Sequence, residues 1–384
     1  MFNFTFHIPT AVEFGKGQIQ AIPKYLSKQN RILLVYGSGS IKKNGVYDQV
    51  IHALQDYFYI EFAGIEPNPE FETLNRAVQV VKRENIDFIL AVGGGSVLDG
   101  CKFIASAATY SGDALDILYK KQEIIRALPI GTVMTIPATG SEMNGNFVVS
   151  RRETKDKLSL YSDLVKPKFA ILDPSVTYSL PQKQTANGVV DAFVHTFEQY
   201  MTYPVDAKIP DRFAEGVFCT LMEDGPKLLD EPENYDARAN IMWAATMALN
   251  KILSTGVPQD WTSHAIGHEL TALYGLDHGQ TLAIIVPAIM HHQKQAKREK
   301  LIQFAQRVLD YRGNDVNIAA ELTIQKICAF FELMGVKTRF SDYGIDDSLF
   351  PEVIRKLSEH RQPLLGEHES IDHQAVMEIL YLAL

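Results

Sequence analysis

Cysteine is scarce: Cys101, Cys219 and Cys328 are the three in 384 residues. An odd number of widely spaced thiols excludes a disulfide framework and points to a reducing compartment, the cytoplasm. Positive charge is in deficit, with 37 Lys and Arg against 46 Asp and Glu and a net charge of −9. Phosphate neutralisation needs clustered basic residues, so no nucleic-acid partner is expected. Long apolar runs are also missing. The longest, residues 282–290, contains Pro287 and falls far short of the ~20 residues of a bilayer span. Residues 1–10 show no basic stretch leading into an apolar one, so neither a membrane partner nor a secretory leader is expected. There are no internal repeats and no low-complexity tracts. Hydrophobic residues at 46% and charged residues at 22% are ordinary globular values, and the length suits about two domains.

What is present falls into two textures. Short apolar, β-branched or aromatic runs at 31–36, 58–62, 88–92, 132–136 and 169–173 are interleaved with helical periodicity at 45–57, 71–84 and 97–110. Runs that are apolar on both faces predict a parallel sheet covered by helices. Residues 2–8 and 11–15 read as an edge hairpin, and 139–163 as a loop with a short β-hairpin. After Asp173-Pro174 and Leu180-Pro181 the segments 182–200, 211–229, 237–253, 261–274, 298–308, 316–334, 349–359 and 373–384 all read at helical period. Those prolines mark a boundary. The predicted fold is an α/β, Rossmann-like dinucleotide-binding domain at 1–180 followed by an all-α domain at 181–384.

Two glycine-rich turns end strands of the first domain. Val92-Gly93-Gly94-Gly95-Ser96-Val97-Leu98-Asp99 follows a strand and opens a helix. Glycine lets backbone amides approach a ligand, and a helix N-terminus adds unpaired donors and a positive dipole end, together a pyrophosphate cradle. The competing reading is a tight turn whose Ser96 and Asp99 form a capping box. Tyr36-Gly37-Ser38-Gly39-Ser40 follows the first strand. Neither turn is G-x-G-x-x-G, because Lys42 and Leu98 stand at the third glycine position; the Rossmann fingerprint is absent, though another dinucleotide cradle is not excluded. The 37–40 turn has no carboxylate to bond a ribose 2′-hydroxyl and repel a 2′-phosphate. With Lys42 and Lys43 beside it, it leans toward NADPH over NADH. Ser40 could instead simply cap the following helix.

Histidine is the other concentration of chemistry. Asp191 and His195 are i, i+4 on one helical face, His264 and His268 repeat that spacing, and His278 follows in a loop. Three nitrogen donors and one oxygen donor suit Zn²⁺ or Fe²⁺ rather than Mg²⁺ or Ca²⁺. Spacing does not say which three of His195, His264, His268 and His278 bind. The protease motif H-E-x-x-H is excluded, since Ala265 stands where the general-base Glu is required. Phe193, Phe197, Trp243 and Trp261 read as core.

Taken together these residues resemble the iron-containing (group III) alcohol dehydrogenases. The resemblance runs nearly end to end and rests on Gly64-Ile-Glu-Pro-Asn-Pro69, Gly93-Gly-Gly-Ser-Val-Leu-Asp-Gly-Cys-Lys102, Pro137-Ala-Thr-Gly-Ser-Glu142, Gly188-Val-Val-Asp-Ala-Phe-Val-His195 and the His264, His268, His278 series. Residues 37–45 and Gly267-His-Glu-Leu270 are similar to the NADPH-dependent aldehyde reductase and butanol dehydrogenase branch. The resemblance implies a dehydroquinate-synthase-like architecture, NADPH or NADH as cofactor, one divalent metal (Fe²⁺ or Zn²⁺), a small aldehyde or primary alcohol as substrate, and a homodimer. It makes Asp191, His195, His264 and His278 the metal ligands and leaves His268 beside the nicotinamide as the candidate proton relay. Asn68, Gly93, Gly94, Gly95, Ser96, Thr135, Thr139, Asn144, Lys157 and Tyr178 fall where the family lines its cofactor cleft; Gly37, Ser38, Gly39, Ser40 and Asp99 complete the cofactor set. The implied chemistry is hydride transfer between nicotinamide and a carbonyl carbon, with the metal as Lewis acid. The architecture also resembles dehydroquinate-synthase-like lyases, and a non-catalytic metal- and nucleotide-binding protein would carry the same features. Net oxidation of NADPH by an aldehyde separates these readings.

Overall fold

A computed structural model describes all 384 residues. Six parallel strands form one sheet: β1 (Ala11–Phe14), β2 (Arg31–Tyr36), β3 (Phe58–Ala63), β4 (Phe88–Gly94), β5 (Ile130–Ile136) and β8 (Phe169–Leu172). Their spatial order is β1-β8-β5-β4-β2-β3. Side chains alternate across each strand, and in the inner strands β2, β4, β5 and β8 both faces are buried. Leu33, Val35 and Ile89 pack on one face with Leu74, Val78 and Phe103 of α2 (Phe71–Arg83) and α3 (Gly95–Thr109). Ile32, Leu34 and Leu90 pack on the other with Ile19, Ile22 and with Val46 and Val50 of α1 (Val46–Ala53). A short α4 (Ala114–Tyr119) follows, and β6 (Asn146–Arg151) and β7 (Asp156–Tyr161) form the antiparallel hairpin expected between 139 and 163.

The order of strands positions a ligand site. β2 and β4 are neighbours although β3 separates them in sequence, so the chain runs toward β3 on one side and toward β5 and β8 on the other. Ligands of open α/β sheets bind at such a switch point, beyond the carboxyl ends of the strands. Both glycine turns follow the two strands that flank it.

The expected edge hairpin is not formed. β1 pairs in parallel with β8, and residues 2–8 lie outside the sheet, Phe2 N donating instead to Gly256 O at 2.9 Å. The chain separates into two compact units, and two segments cross the anticipated 180/181 boundary: residues 1–6 belong with the helical unit and 233–246 with the α/β unit. The second exchange follows from packing, because Met242 of α8 (Tyr235–Ala248) shares a core with Met134, Ala170 and Leu172 of the sheet.

The helical unit contains α5 (Gln182–Tyr200), α6 (Lys208–Asp224), α7 (Lys227–Asp230), α9 (Thr262–Tyr274), α10 (His278–His292), α11 (Arg298–Arg307), α12 (Val316–Leu333), α13 (Phe350–Glu359) and α14 (His373–Leu382). Residues 278–292 are not among the segments expected to be helical, yet α10 spans them and runs through Pro287; residues 281–290 are all buried, and packing outweighs the lost hydrogen bond. No helix is long and apolar enough to cross a membrane. Almost every residue of α5 from Thr185 onward is buried. Phe193 meets Phe218, Phe330 and Phe331 at ring-centroid distances of 4.7, 5.2 and 5.4 Å. Phe193→Ala is expected to destabilise the helical unit by about 3–5 kcal/mol, read as a lower urea midpoint; an unchanged midpoint contradicts this packing.

Candidate functional site

Three elements of the helical unit bring the histidines together. α5 carries Asp191 and His195 one turn apart, both 4% exposed. α9 carries His264 and His268. His278 is not in a loop, as its surroundings suggested, but is the first residue of α10, whose N-terminus is closed by a capping box between Asp277 and Gln280. Gly279 explains how that end reaches α5: a Cβ there would stand 2.7 Å from Asn187 O. Only glycine allows the two backbones this close.

The nitrogens converge on one oxygen. Asp191 Oδ1 lies 3.6 Å from His195 Nε2, 3.8 Å from His264 Nε2 and 3.9 Å from His278 Nε2. These distances are too long for hydrogen bonds. They approach the ~3.4 Å edge of a tetrahedron of donors each about 2.0–2.2 Å from a shared ion. The buried His264 Nε2 has no hydrogen-bond partner, so its lone pair is available to a metal. The ligand atoms of Asp191, His195 and His264 all lie within 4.8 Å of one another, and His278 faces the same carboxylate oxygen, a donor set that fits a divalent metal. His268 neighbours this group, its ring centroid 6.0 Å from that of His264 and 5.1 Å from that of His278.

Glu198 was not singled out in the sequence, and it completes this arrangement. One turn beyond His195 on α5, it is 1% exposed; it bonds His264 Nδ1 and accepts from His264 N at 3.0 Å. A carboxylate on the far nitrogen fixes the tautomer and orientation that a ligating imidazole needs. Burial works against charge on His264, but Glu198 and Asp191 outweigh it and raise the imidazole to about 9; burial pushes the Glu198 carboxyl upward. The i, i+4, i+7 series Asp191, His195, Glu198 was the signal in the sequence. Trp261 also departs from its core reading, lying edge-on to His264 at 5.5 Å, and Trp243 is 42% exposed.

In the α/β unit the glycine turns adjoin. Val97 lies 2.6 Å from a Cβ built on Gly93 and 3.7 Å from one built on Gly37, so its side chain separates the two turns. A Cβ on Gly94 would meet Ile136 at 2.9 Å, and one on Gly95 would meet Thr139 at 2.7 Å. The triple glycine is thus demanded by internal packing. The capping box is not formed: the N-cap of α3 is Gly94 with no side-chain cap. Ser96 Oγ instead accepts from Asn68 N at 3.2 Å, and Asp99 accepts from Ser141 Oγ at 2.6 Å and Val148 N at 3.0 Å. Ser40 is not a cap either, since Gly39 (φ 104°) precedes its turn. Both N-termini lack side-chain caps.

Of the other cofactor candidates, Asn144 Nδ2 donates to Thr139 O at 3.1 Å, placing both beside the 93–96 turn. Thr135 is buried on β5 and Lys157 on β7, where its charge acts on Asp99. Tyr178 is grouped with Tyr235, Glu233 and Asp173; its neighbour Ser179 accepts from Asn44 at 3.1 Å, just past the 37–40 turn. Sequence reading passed over Lys102. Fully buried, it donates to Ser141 Oγ, Asn144 Oδ1 and Asn146 O at 2.7, 3.1 and 2.7 Å, and burial draws its ammonium down to about 8.

A doubly wound parallel sheet with glycine-rich turns at its switch point, together with a helical unit whose Asp and His side chains converge, sets the class of fold and site. The chain belongs to the iron-containing alcohol dehydrogenase family: residues 9–174 match the family model described as iron-containing alcohol dehydrogenase, and 185–384 that of its C-terminal domain. It is 54% identical to the NADPH-dependent aldehyde reductase YqhD of Escherichia coli K12 over 97% of both chains. It is 42% identical to the probable NADH-dependent butanol dehydrogenase 1 of Bacillus subtilis over the whole of both. The crystal structure of E. coli YqhD superposes with a TM-score of 0.98 at 52% identity, covering 100% of this chain and 99% of that one.

The packing at the turn is testable. Gly95→Ala forces a methyl into Thr139 and should cost about 1–3 kcal/mol, measured by urea unfolding; Thr139→Ala in the same chain should recover most of the loss. A neutral single variant, or no recovery in the double, contradicts the close approach.

Proposed function

We propose that this chain reduces short- to medium-chain aldehydes to primary alcohols, and runs the reverse, as a metal-dependent enzyme that prefers NADPH to NADH. The observation that carries the reading is the convergence of three imidazoles on Asp191 Oδ1 in a buried pocket of donors suited to Zn²⁺ or Fe²⁺. Asp191, His195, His264 and His278 would hold that metal, and the uncapped turns at 37–40 and 93–96 would hold the dinucleotide. When bound, the metal supplies Lewis acidity and the nicotinamide supplies or accepts the hydride.

The chain's own side chains have separate tasks. Glu198 orients His264, and the capping box at Asp277 orients His278. His268, adjacent to the cluster without joining it, holds at an imidazole nitrogen the proton that the product alcohol requires. Preference for the 2′-phosphate is supported on the β2–β3 edge. The carboxylate there, Glu61, has one oxygen bonded by Tyr36 at 2.6 Å and the other by Tyr47 at 2.7 Å, while Lys42 Nζ stands 3.8 Å from it at the end of the 37–40 turn. The reading includes a cytoplasmic homodimer, supported by the family resemblance and by three unbridged cysteines.

The test is initial-rate oxidation of NADPH and of NADH by butanal, on chelated protein and after restoring Fe²⁺ or Zn²⁺. Turnover should require metal and favour NADPH. His195→Ala should lose metal and activity together, whereas His268→Ala should keep metal and slow turnover about 10²–10⁴-fold. Activity in fully chelated protein sinks the metal reading; preference for NADH overturns the cofactor inference alone.

A further inference from the structure

A second buried charge cluster lies in the helical unit and shares no residue with the ligand group. Lys297, immediately before α11, is 2% exposed. Its Nζ donates to Met201 O at 2.8 Å, to Asp260 Oδ2 at 2.6 Å and to the two carboxylate oxygens of Glu367 at 3.1 and 3.0 Å. An ammonium has three protons, so this one is fully engaged.

Two of these partners sit at ends of the helices that carry Asp191, His195 and His264. Met201 follows the last residue of α5, and its carbonyl is one of the orphan acceptors that every helix leaves at its C-terminus; a cation there also complements the helix dipole. Asp260 precedes α9. Its Oδ1 accepts from Thr262 N at 3.0 Å and Thr262 Oγ1 at 2.5 Å, so the carboxylate that grips Lys297 also grips the first turn of α9, two residues before His264. Asp260 N donates to Glu198 O at 2.9 Å, a third tie between the helices. Buried ion pairs are often no more stable than apolar replacements of the same size, and their best-attested use is to fix one arrangement.

The geometry points to Lys297 as a positioning residue for the metal centre: it holds the end of α5 and the start of α9 at the separation at which their ligands share one ion. This rests on the reading of Asp191, His195, His264 and His278 as ligands, and the test separates the two. Zn²⁺ dissociation constants are measured by chelator competition on the full chain, and the Co²⁺-loaded protein is examined by visible absorption. Lys297→Met should weaken Zn²⁺ about tenfold to a hundredfold and change the Co²⁺ spectrum. Ile324→Ala, a core truncation on α12, should lower stability while leaving Zn²⁺ affinity within about twofold of the parent. If Lys297→Met does not fold, Asp260→Asn, which keeps an acceptor for Thr262 but removes the charge facing Lys297, should weaken Zn²⁺ about tenfold. Parent-like affinity in Lys297→Met, or in Asp260→Asn where that variant stands in, overturns the proposal. So does an equal loss in Ile324→Ala. If His264→Ala also binds Zn²⁺ like the parent, the ligand reading itself is wrong; if His264→Ala loses Zn²⁺ and Lys297→Met does not, only the positioning role fails.

Discussion

Asp191 is a carboxylate placed inside protein, 4% exposed, with three imidazole nitrogens facing one of its oxygens from 3.6 to 3.9 Å away. Removing such a charge from water costs several kcal/mol unless positive charge answers it. Two answers are available here. A proton can sit on His264, which Glu198 and Asp191 hold basic against the effect of burial, or a divalent cation can occupy the space the four side chains surround. A ligating imidazole must be neutral, so the two answers exclude one another at His264. The surrounding structure holds these side chains in place. α5 is buried along most of its length, Gly279 brings α10 against it, and Asp260 accepts from Thr262, the first residue of α9.

The α/β unit solves a different problem, that of leaving backbone donors unanswered without loosening the fold. The amides at the start of α3 have no side-chain cap, yet the turn bearing them is among the most tightly packed places in the unit, with Val97, Ile136 and Thr139 against its three glycines. Beneath it Lys102 and Asp99 organise residues 141–148 through Ser141, Asn144, Asn146 and Val148. On the proposed reading of this turn as a dinucleotide cradle, a packed floor beneath it is preorganisation, which lowers the cost of ordering a site.

Much of this was legible in the sequence, for physical reasons. A strand buried on both faces must be continuously apolar, so β2 and β4 were plain, and the i, i+4 pairs Asp191–His195 and His264–His268 announced shared helix faces. What escaped depends on partners that periodicity does not name. α10 is apolar all round and contains Pro287, so it shows no stripe, and only its neighbours make it a helix. Residues 1–6 and α8 exchange units because their contacts lie elsewhere in the chain. Ser96 and Asp99 have the spacing of a capping box, but Asp99 gives its oxygens to Ser141 and Val148. Glu198 stood in register with Asp191 and His195, and was missed because a carboxylate at i+7 is also an ordinary helical residue until a histidine from another helix meets it.

The central claim is that one carboxylate and three imidazoles of the helical unit surround a single divalent ion. Zn K-edge X-ray absorption on protein loaded with one equivalent of Zn²⁺ reads that shell directly. The account predicts one tightly held ion with a nitrogen and oxygen first shell at about 2.0–2.2 Å, three of its donors showing the multiple scattering of imidazole, and no sulfur. A sulfur scatterer near ~2.3 Å, or a shell with fewer than three imidazoles, would contradict it.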